Sequence, residues 1–253
     1  MKKVKFLTLN TWYGGILFDP LIDFLQKENA DVLNLQEVYD GKDPSLEKRF
    51  RCLDILTKEL GYSFFSFTPS FIDTSSGQDL PWGNVILSKY PLQEKETIFF
   101  KGSPDRFNLK DTSPWRFPRN IQHVQVQISK DTLLNVFNTH GIWGKDAKDN
   151  KNRLSMSKII CEQIKNKQHV ILSGDFNVDQ NTKTIENIEQ HLINVFKNEL
   201  KTTFNIKQKG TKAGFAKSVV DMVFVSKDIR VTQHSCPDVN ISDHLPLMCV
   251  FEV

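Results

Sequence analysis

The sequence predicts an α/β fold in which two packed mixed β-sheets are flanked by helices. Three observations predict it. Short runs rich in Val, Ile, Leu and Phe, bounded by Gly, Asn or Asp, recur along the 253 residues and read as buried strands. Segments with apolar residues at helical spacing lie between several of them. Two further runs, 117–128 and 132–137, are joined by Ser129-Lys130-Asp131 and read as an antiparallel hairpin. Strands that alternate with helices and also pair as hairpins pack as sheets covered on their outer faces.

Taken in order, the run from Phe6 to Leu9 is the first strand. A helix follows over 18–29, with Leu21, Ile22, Phe24 and Leu25 as its apolar stripe. Asp19 is placed to cap it and Pro20 to stand at a first helical position. The run from Val32 is the second strand, and a second helix is expected over 44–60, ended by Gly61. Residues 62–67, 84–87 and 97–100 read as strands. After the hairpin, Leu154, Ile159, Ile160 and Ile164 mark a helix over 153–165 that leads into a strand at Val170. Residues 184–192 read as another helix, and two last strands surround Asp221 and Leu245.

Three stretches interrupt this scaffold. Residues 71–83 and 102–117 are rich in Pro, Gly, Ser and Asp and carry aromatics expected to be exposed: Trp82, Phe107 and Trp115. Residues 197–217 hold Lys197, Lys201, Lys207, Lys209, Lys212 and Lys217 against a single acid, Glu199. Long loops in a compact domain are commonly functional. The lysine run reads either as a solvated surface or as a phosphate-facing rim beside Asp221.

Bulk properties set limits. A chain of this size fits a single domain over 1–253, and 39% hydrophobic residues is ample for its core. A net charge of +3 does not by itself imply nucleic acid. Cys52, Cys161, Cys236 and Cys249 are scattered without a Cys-x-x-Cys pair, and read as free thiols in a reducing compartment. The basic start is followed by an apolar run too short for a signal peptide, and no stretch is long and apolar enough to span a bilayer. The expectation is a cytoplasmic monomer.

The apolar runs share one habit: each delivers a polar residue at its end. These are Asn10, Glu37, His140, Asp175 with Asn177, Asp221, and Asp243 with His244. Polar side chains at strand ends converge where an α/β fold opens to solvent. A carboxylate such as Glu37 at the end of a buried strand calls for a cation. With Asp243 and Asn10 nearby, the donor set is all oxygen and suits Mg²⁺, or Mn²⁺, rather than zinc.

The segments Leu9-Asn10-Thr11, Leu35-Gln36-Glu37-Val38, Asn138-Thr139-His140, Gly174-Asp175-Phe176-Asn177, Val220-Asp221 and Ser242-Asp243-His244 stand in the order of a known family. In them the chain resembles the endonuclease/exonuclease/phosphatase superfamily nearly end to end. That resemblance implies a four-layer α/β sandwich and a metal-dependent hydrolase of phosphodiesters or phosphomonoesters. It implies Asn10, Glu37 and Asp243 about the metal, and His140 and Asn177 on the phosphate. Asp175, or His244 supported by Asp221, would be the base that activates water. Arg119 is placed either to reach a phosphate or to form an interior salt bridge. Trp115, Lys207 and Lys209 are further candidates for contact with substrate.

Within the superfamily, abasic-site endonucleases follow the metal-binding Glu with Thr-Lys, where this chain has Val38-Tyr39. Inositol-polyphosphate phosphatases carry an Arg where Val178 stands and a different setting for the later Asp than Val220-Asp221-Met222. Secreted sphingomyelinases need an export signal. A phosphodiesterase of another kind is the leading expectation, a nuclease on DNA or RNA the alternative. A catalytically dead binding module of the same fold is the remaining one, although every expected catalytic residue type is present.

Overall fold

The computed structural model describes residues 2–210 and 217–253. In chain order its first half contains β1 (Lys3–Asn10), α1 (Phe18–Glu28), β2 (Val32–Tyr39), α2 (Cys52–Glu59), β3 (Phe64–Asp73), β4 (Leu80–Ser88), β5 (Leu92–Lys101) and β6 (Arg106–Phe107). Then come β7 (Arg119–Ser129), β8 (Thr132–His140), α3 (Lys151–Ile164), β9 (Val170–Asp175), α4 (Lys183–Glu189), β10 (Ile193–Asn194), α5 (Ile206–Lys209), β11 (Asp221–Val225), β12 (Arg230–Ser235) and β13 (Leu247–Glu252). One sheet has the order β12-β13-β1-β2-β4-β3-β6 and the other β10-β11-β9-β8-β7-β5. Both are mixed: β1 runs parallel to β2 and β8 parallel to β9 within otherwise largely antiparallel ladders.

Strand alternation builds the layers. In β1, Val4 and Phe6 join Val124, Val136, Ile171 and Val223 between the sheets, while Leu7 and Leu9 point outward against Leu21 and Leu25 of α1. On the far side, Phe137, Leu172 and Phe224 point outward against Met156 and Ile160 of α3 and Ile185 of α4. The result is helix, sheet, sheet, helix.

The inward face changes character along every central strand. It begins apolar, passes through buried amides, and ends in charge: Val4, Phe6, Thr8 and Asn10 in β1; Leu134, Val136, Asn138 and His140 in β8; Ile171, Ser173 and Asp175 in β9. The amides key the sheets together. Asn34 Nδ2 donates to Phe137 O at 2.9 Å and to Ser173 Oγ at 2.9 Å, and Gln36 Nε2 to Asn138 Oδ1 at 2.7 Å. Asn138 Nδ2 answers by donating to Leu35 O at 3.1 Å and Val85 O at 3.0 Å.

Several expectations are corrected. The second helix starts late, because Asp43 Oδ1 accepts the Ser45 N–H at 2.8 Å and folds the preceding residues into a turn. A 3-10 turn over Lys48–Arg51 then leads into α2. Asp19 does not cap α1, whose N-cap is Leu17; its carboxylate pairs with Lys48 at 2.7 Å. Trp82 is not in an exposed loop: it lies within β4 and is 1% exposed. The β3–β4 hairpin runs on through Pro69 and Pro81, absorbing the break with a register shift between Pro69 and Phe71. Trp115 is exposed as expected, and Phe107 packs edge-on against Phe71. All four cysteines are free, two of them only half-buried. No helix among the described residues is long and apolar enough to cross a membrane.

Gly174 shows how closely the β8–β9 pair is fitted. Its φ is +139°, and a Cβ there would lie 2.0 Å from Thr139 O. Gly174→Ala is therefore expected to cost roughly 2–4 kcal/mol in chemical denaturation, from strained backbone and a forced separation of the two strands. A loss within experimental error would show that the ladder is not close-packed there.

Candidate active site

The site forms where the inward faces end. Asn10 closes β1 and stands between the sheets: its Nδ2 lies 3.1 Å from Glu37 Oε1 and 3.2 Å from Asp175 Oδ2, while its Oδ1 accepts the Trp12 N–H at 3.0 Å. Glu37 belongs to a strand whose register shifts between Leu35 and Val38, and its φ is +62°. This bulge turns the carboxylate into the cleft, where Oε2 accepts the Tyr13 N–H at 2.9 Å. Asp175 closes β9, and its Oδ1 accepts the Asn177 N–H at 2.8 Å. His140 Nε2 stands 3.6 Å from Asp175 Oδ2 and 4.0 Å from Glu37 Oε1.

His244 approaches from the loop before β13. Its Nδ1 is 2.8 Å from Asp221 Oδ2, and its Nε2 is 4.0 Å from Asp175 Oδ2. Asp221 belongs to one sheet and the His244 loop leads into the other. Ser242 Oγ donates to Asn10 O at 2.7 Å and fixes that loop to the end of β1. Arg119 opens β7 and is 4% exposed. Its Nε donates to Gly141 O at 3.0 Å and its Nη1 to Pro118 O at 3.1 Å, and it has no carboxylate partner among the described residues. The interior salt bridge considered for it is absent there.

These groups surround a cavity of about 220 Å³. Asn10, Glu37, Arg119, His140, Asp175, Asn177, Lys209, Asp243 and His244 line it, and Asp221 stands behind His244. Lys209 is in ion-pair contact with Asp243. Trp115 and Lys207 do not line the cavity, and Lys212 lies outside the described residues. Lys197 pairs with Glu189 at 2.8 Å, away from the cleft. Sequence reasoning missed the apolar walls: Trp12, Tyr13, Leu109, Phe117, Trp143 and Phe204 also line the cavity. Their signal was adjacency, since Trp12-Tyr13 follows Asn10 and Trp143 follows His140 by three residues. Trp115 reaches the rim by packing on Trp143, with ring centroids 6.3 Å apart.

Burial and neighbouring charge set the protonation states. Burial raises the Glu37 carboxyl above the ordinary range, and the charge of Asp243 adds to it. Asp175 is lifted to about 6 by burial, with His244 opposing and Asp221 adding. Burial, then the charges of Arg119 and His244, hold His140 well below its ordinary value, so it is a neutral imidazole. For His244 burial again acts downward, but Asp221 outweighs it by charge and hydrogen bond, joined by Asp243 and Asp175, and the pKa rises to about 10.

Glu37 and Asp243 fit a hard divalent cation. They are two oxygen donors, Asp243 buried and Glu37 half-buried, close enough for one to raise the other's pKa, and a cation between them would relieve that repulsion. Asn10 turns its amide nitrogen toward Glu37, so in this arrangement it donates to the carboxylate rather than offering an oxygen beside it. Among the described residues, ligand atoms of Asp175, Asp221 and His244 also lie within 4.8 Å of one another, but there His244 Nδ1 is engaged by Asp221.

The fold and cleft put the chain in the class of two-sheet α/β sandwich proteins with an acidic site at the strand mouths. Solved structures share that architecture. A protein described as an endonuclease/exonuclease/phosphatase from Beutenbergia cavernae superposes with a TM-score of 0.75 at 18% identity, over 100% of this chain and 72% of that one. One of the same description from Bacteroides vulgatus gives 0.72 at 17% identity over 100% of both chains. A mannosyl-6-phosphatase from Bacteroides thetaiotaomicron gives 0.68 at 19% identity, over 99% of this chain and 100% of that one. No curated protein sequence matches significantly. The model of the endonuclease/exonuclease/phosphatase family matches residues 7–244, and the chain belongs to that family, whose members are phosphoester hydrolases.

The raised pKa of His244 has a sign that can be checked. Its pairing stabilises the fold fully below the ordinary value of 6.5, and that contribution is lost as pH rises through about 10. Nitrogen-15 spectra of the metal-free protein should show His244 still charged at about pH 8 and His140 neutral at about pH 6. Asp221→Asn should remove the charged imidazole at the higher pH. A wild-type His244 that titrates near its ordinary value would rule out the charged pair.

Proposed function

We propose that the chain is a divalent-metal-dependent hydrolase of small phosphate esters, acting on phosphodiesters by in-line attack of water. One observation carries this reading: a buried guanidinium, Arg119, with no carboxylate in ion-pair contact among the described residues, faces the same cavity as a set of converging carboxylates and imidazoles. A buried guanidinium that forms no ion pair of its own beside such a set is suited to a phosphate oxyanion. Asn177 Nδ2 and the neutral His140 would donate to the remaining phosphoryl oxygens. Glu37 and Asp243, with Asn10 beside them, would hold Mg²⁺ or Mn²⁺, which when bound supplies positive charge at a phosphoryl oxygen and the leaving oxygen.

Asp175 is the base that fits. It sits between both imidazoles and is ionised near neutral pH, whereas His244, already protonated through Asp221, is placed to stabilise charge and to give a proton to the leaving oxygen. Trp143, Phe117 and Leu109 offer an apolar wall to the leaving group. Two lysines of the 197–217 run are engaged by acids, which favours a small ester over a polymer. We read the catalytic unit as one domain, acting as a cytoplasmic monomer.

Purified protein should hydrolyse bis-p-nitrophenyl phosphate with Mg²⁺ or Mn²⁺ and lose that activity in excess EDTA. Glu37→Gln should fold and lose metal-stimulated turnover. Full activity under chelation would overturn the mechanism. An oligonucleotide bound with steep salt dependence and cleaved in preference to small esters would instead establish the nuclease reading, and no turnover of any ester under any metal would leave a binding module.

His244 and Asp221 should behave as a unit. His244→Ala and Asp221→Asn are each expected to lower turnover by ~10²–10⁴, and the double variant to be little worse than either. Strictly additive effects, each well below about a hundredfold, would dissolve the pair.

A further inference from the structure

Arg153 is the only arginine of α3 and is 0% exposed, yet among the described residues no buried carboxylate forms an ion pair with it. Its guanidinium is spread over backbone carbonyls from three separate places. Nε donates to Ile142 O at 3.0 Å, Nη1 to Lys148 O and Nη2 to Asn177 O. Among the described residues the acid in ion-pair contact with it is Asp146, 3.5 Å away and with a side chain 62% exposed. Gly144 lies against the same group: a Cβ there would stand 2.9 Å from Nη2. Burying a guanidinium mainly on carbonyls is a costly way to fill space, and apolar side chains would serve better. What the planar fork supplies is direction, since its five N–H groups hold fixed angles to one another.

The held segments meet in the cleft. Ile142 and Lys148 bracket the loop that carries Trp143 into the cavity wall. Asn177 has φ +55°, a conformation a non-glycine residue keeps only when its surroundings impose it. The carbonyl gripped by Arg153 belongs to that residue. From this backbone the Asn177 N–H reaches Asp175 Oδ1 at 2.8 Å, and its Nδ2 reaches Gly141 O at 3.2 Å, the same oxygen that accepts Arg119 Nε.

Resting on the phosphate-binding role proposed for Asn177, we infer that Arg153 is a positioning residue for the reaction. It sets the left-handed turn at Asn177 and so aims the Asn177 side-chain amide at the phosphate. It does not touch the substrate.

A mutant cycle separates this role from general support. In the wild-type background Arg153→Lys, which keeps the charge and loses the fork, should lower kcat/KM for bis-p-nitrophenyl phosphate about 10- to 100-fold. It should also weaken binding of inorganic phosphate, read by tryptophan fluorescence, while the protein remains folded at the assay temperature. In an Asn177→Ala background the same lysine substitution should be nearly silent in both readouts, because the side chain it aims is gone. Gly144→Ala, which displaces the guanidinium without removing it, should repeat the pattern, and it carries the cycle should Arg153→Lys fail to fold. An equal factor in both backgrounds, or a loss below about threefold in the wild type, would make Arg153 a structural clamp only. If the wild type turns over ester while the cycle shows no coupling, this inference alone fails. If it neither binds phosphate nor turns over ester, the proposed function fails with it.

Discussion

Everything at the cleft depends on how two sheets are held in register. Asn10, Glu37 and the loop bearing Asp243 and His244 belong to one sheet, and Arg119, His140, Asp175 and Asp221 to the other. Apolar faces alone would tolerate small slides, since hydrophobic contact has no direction. The buried layer of Asn34, Gln36, Asn138 and Ser173 has direction, and a slide would orphan several buried polar groups at once. The amide layer lies between the apolar core and the charged mouth, where a shift would displace the Asp221–His244 and Asn10–Asp175 contacts. Interatomic distances across the site are thus inherited from hydrogen bonds one or two residues deeper along each strand.

The same geometry concentrates negative charge. Glu37, Asp175, Asp221 and Asp243 are gathered in one place with little water around them, against Arg119, a protonated His244 and Lys209. Each carboxylate answers differently. Asp221 gains an imidazolium, Asp243 an ammonium, Asp175 takes a moderately raised pKa, and Glu37 is left with hydrogen bonds from Asn10 and Tyr13. The imbalance is greatest at Glu37, which is why that corner of the site suits a cation.

Much of this was legible beforehand because strand alternation is simple. Once a run such as Val170-Ile171-Leu172-Ser173-Gly174-Asp175 is read as a strand, parity puts Ile171, Ser173 and Asp175 on one face, and the charge must emerge at its end. What escaped was set by contacts between distant segments. Trp82 looked like a loop residue because Pro81 and Gly83 flank it, yet pairing with β3 carries the strand through both. The tie between Lys209 and Asp243 joins the end of α5 to a turn more than thirty residues away, and no periodicity reports it. The orientation of the Asn10 amide depends on Trp12, whose backbone is bent by the turn that follows β1. Arg153 carried no motif at all; only the shared destination of its hydrogen bonds reveals it.

Glu37 also bears on how this molecule could be altered. A glutamate at φ +62° sits where glycine would be more comfortable, and it holds a half-buried carboxylate there as well. Selection for thermal stability alone would be expected to replace it, with glycine relaxing the backbone and removing the charge together. A library sorted only for folding would be expected to change the cleft first at the end of β2, trading its acidic corner for a sturdier strand end.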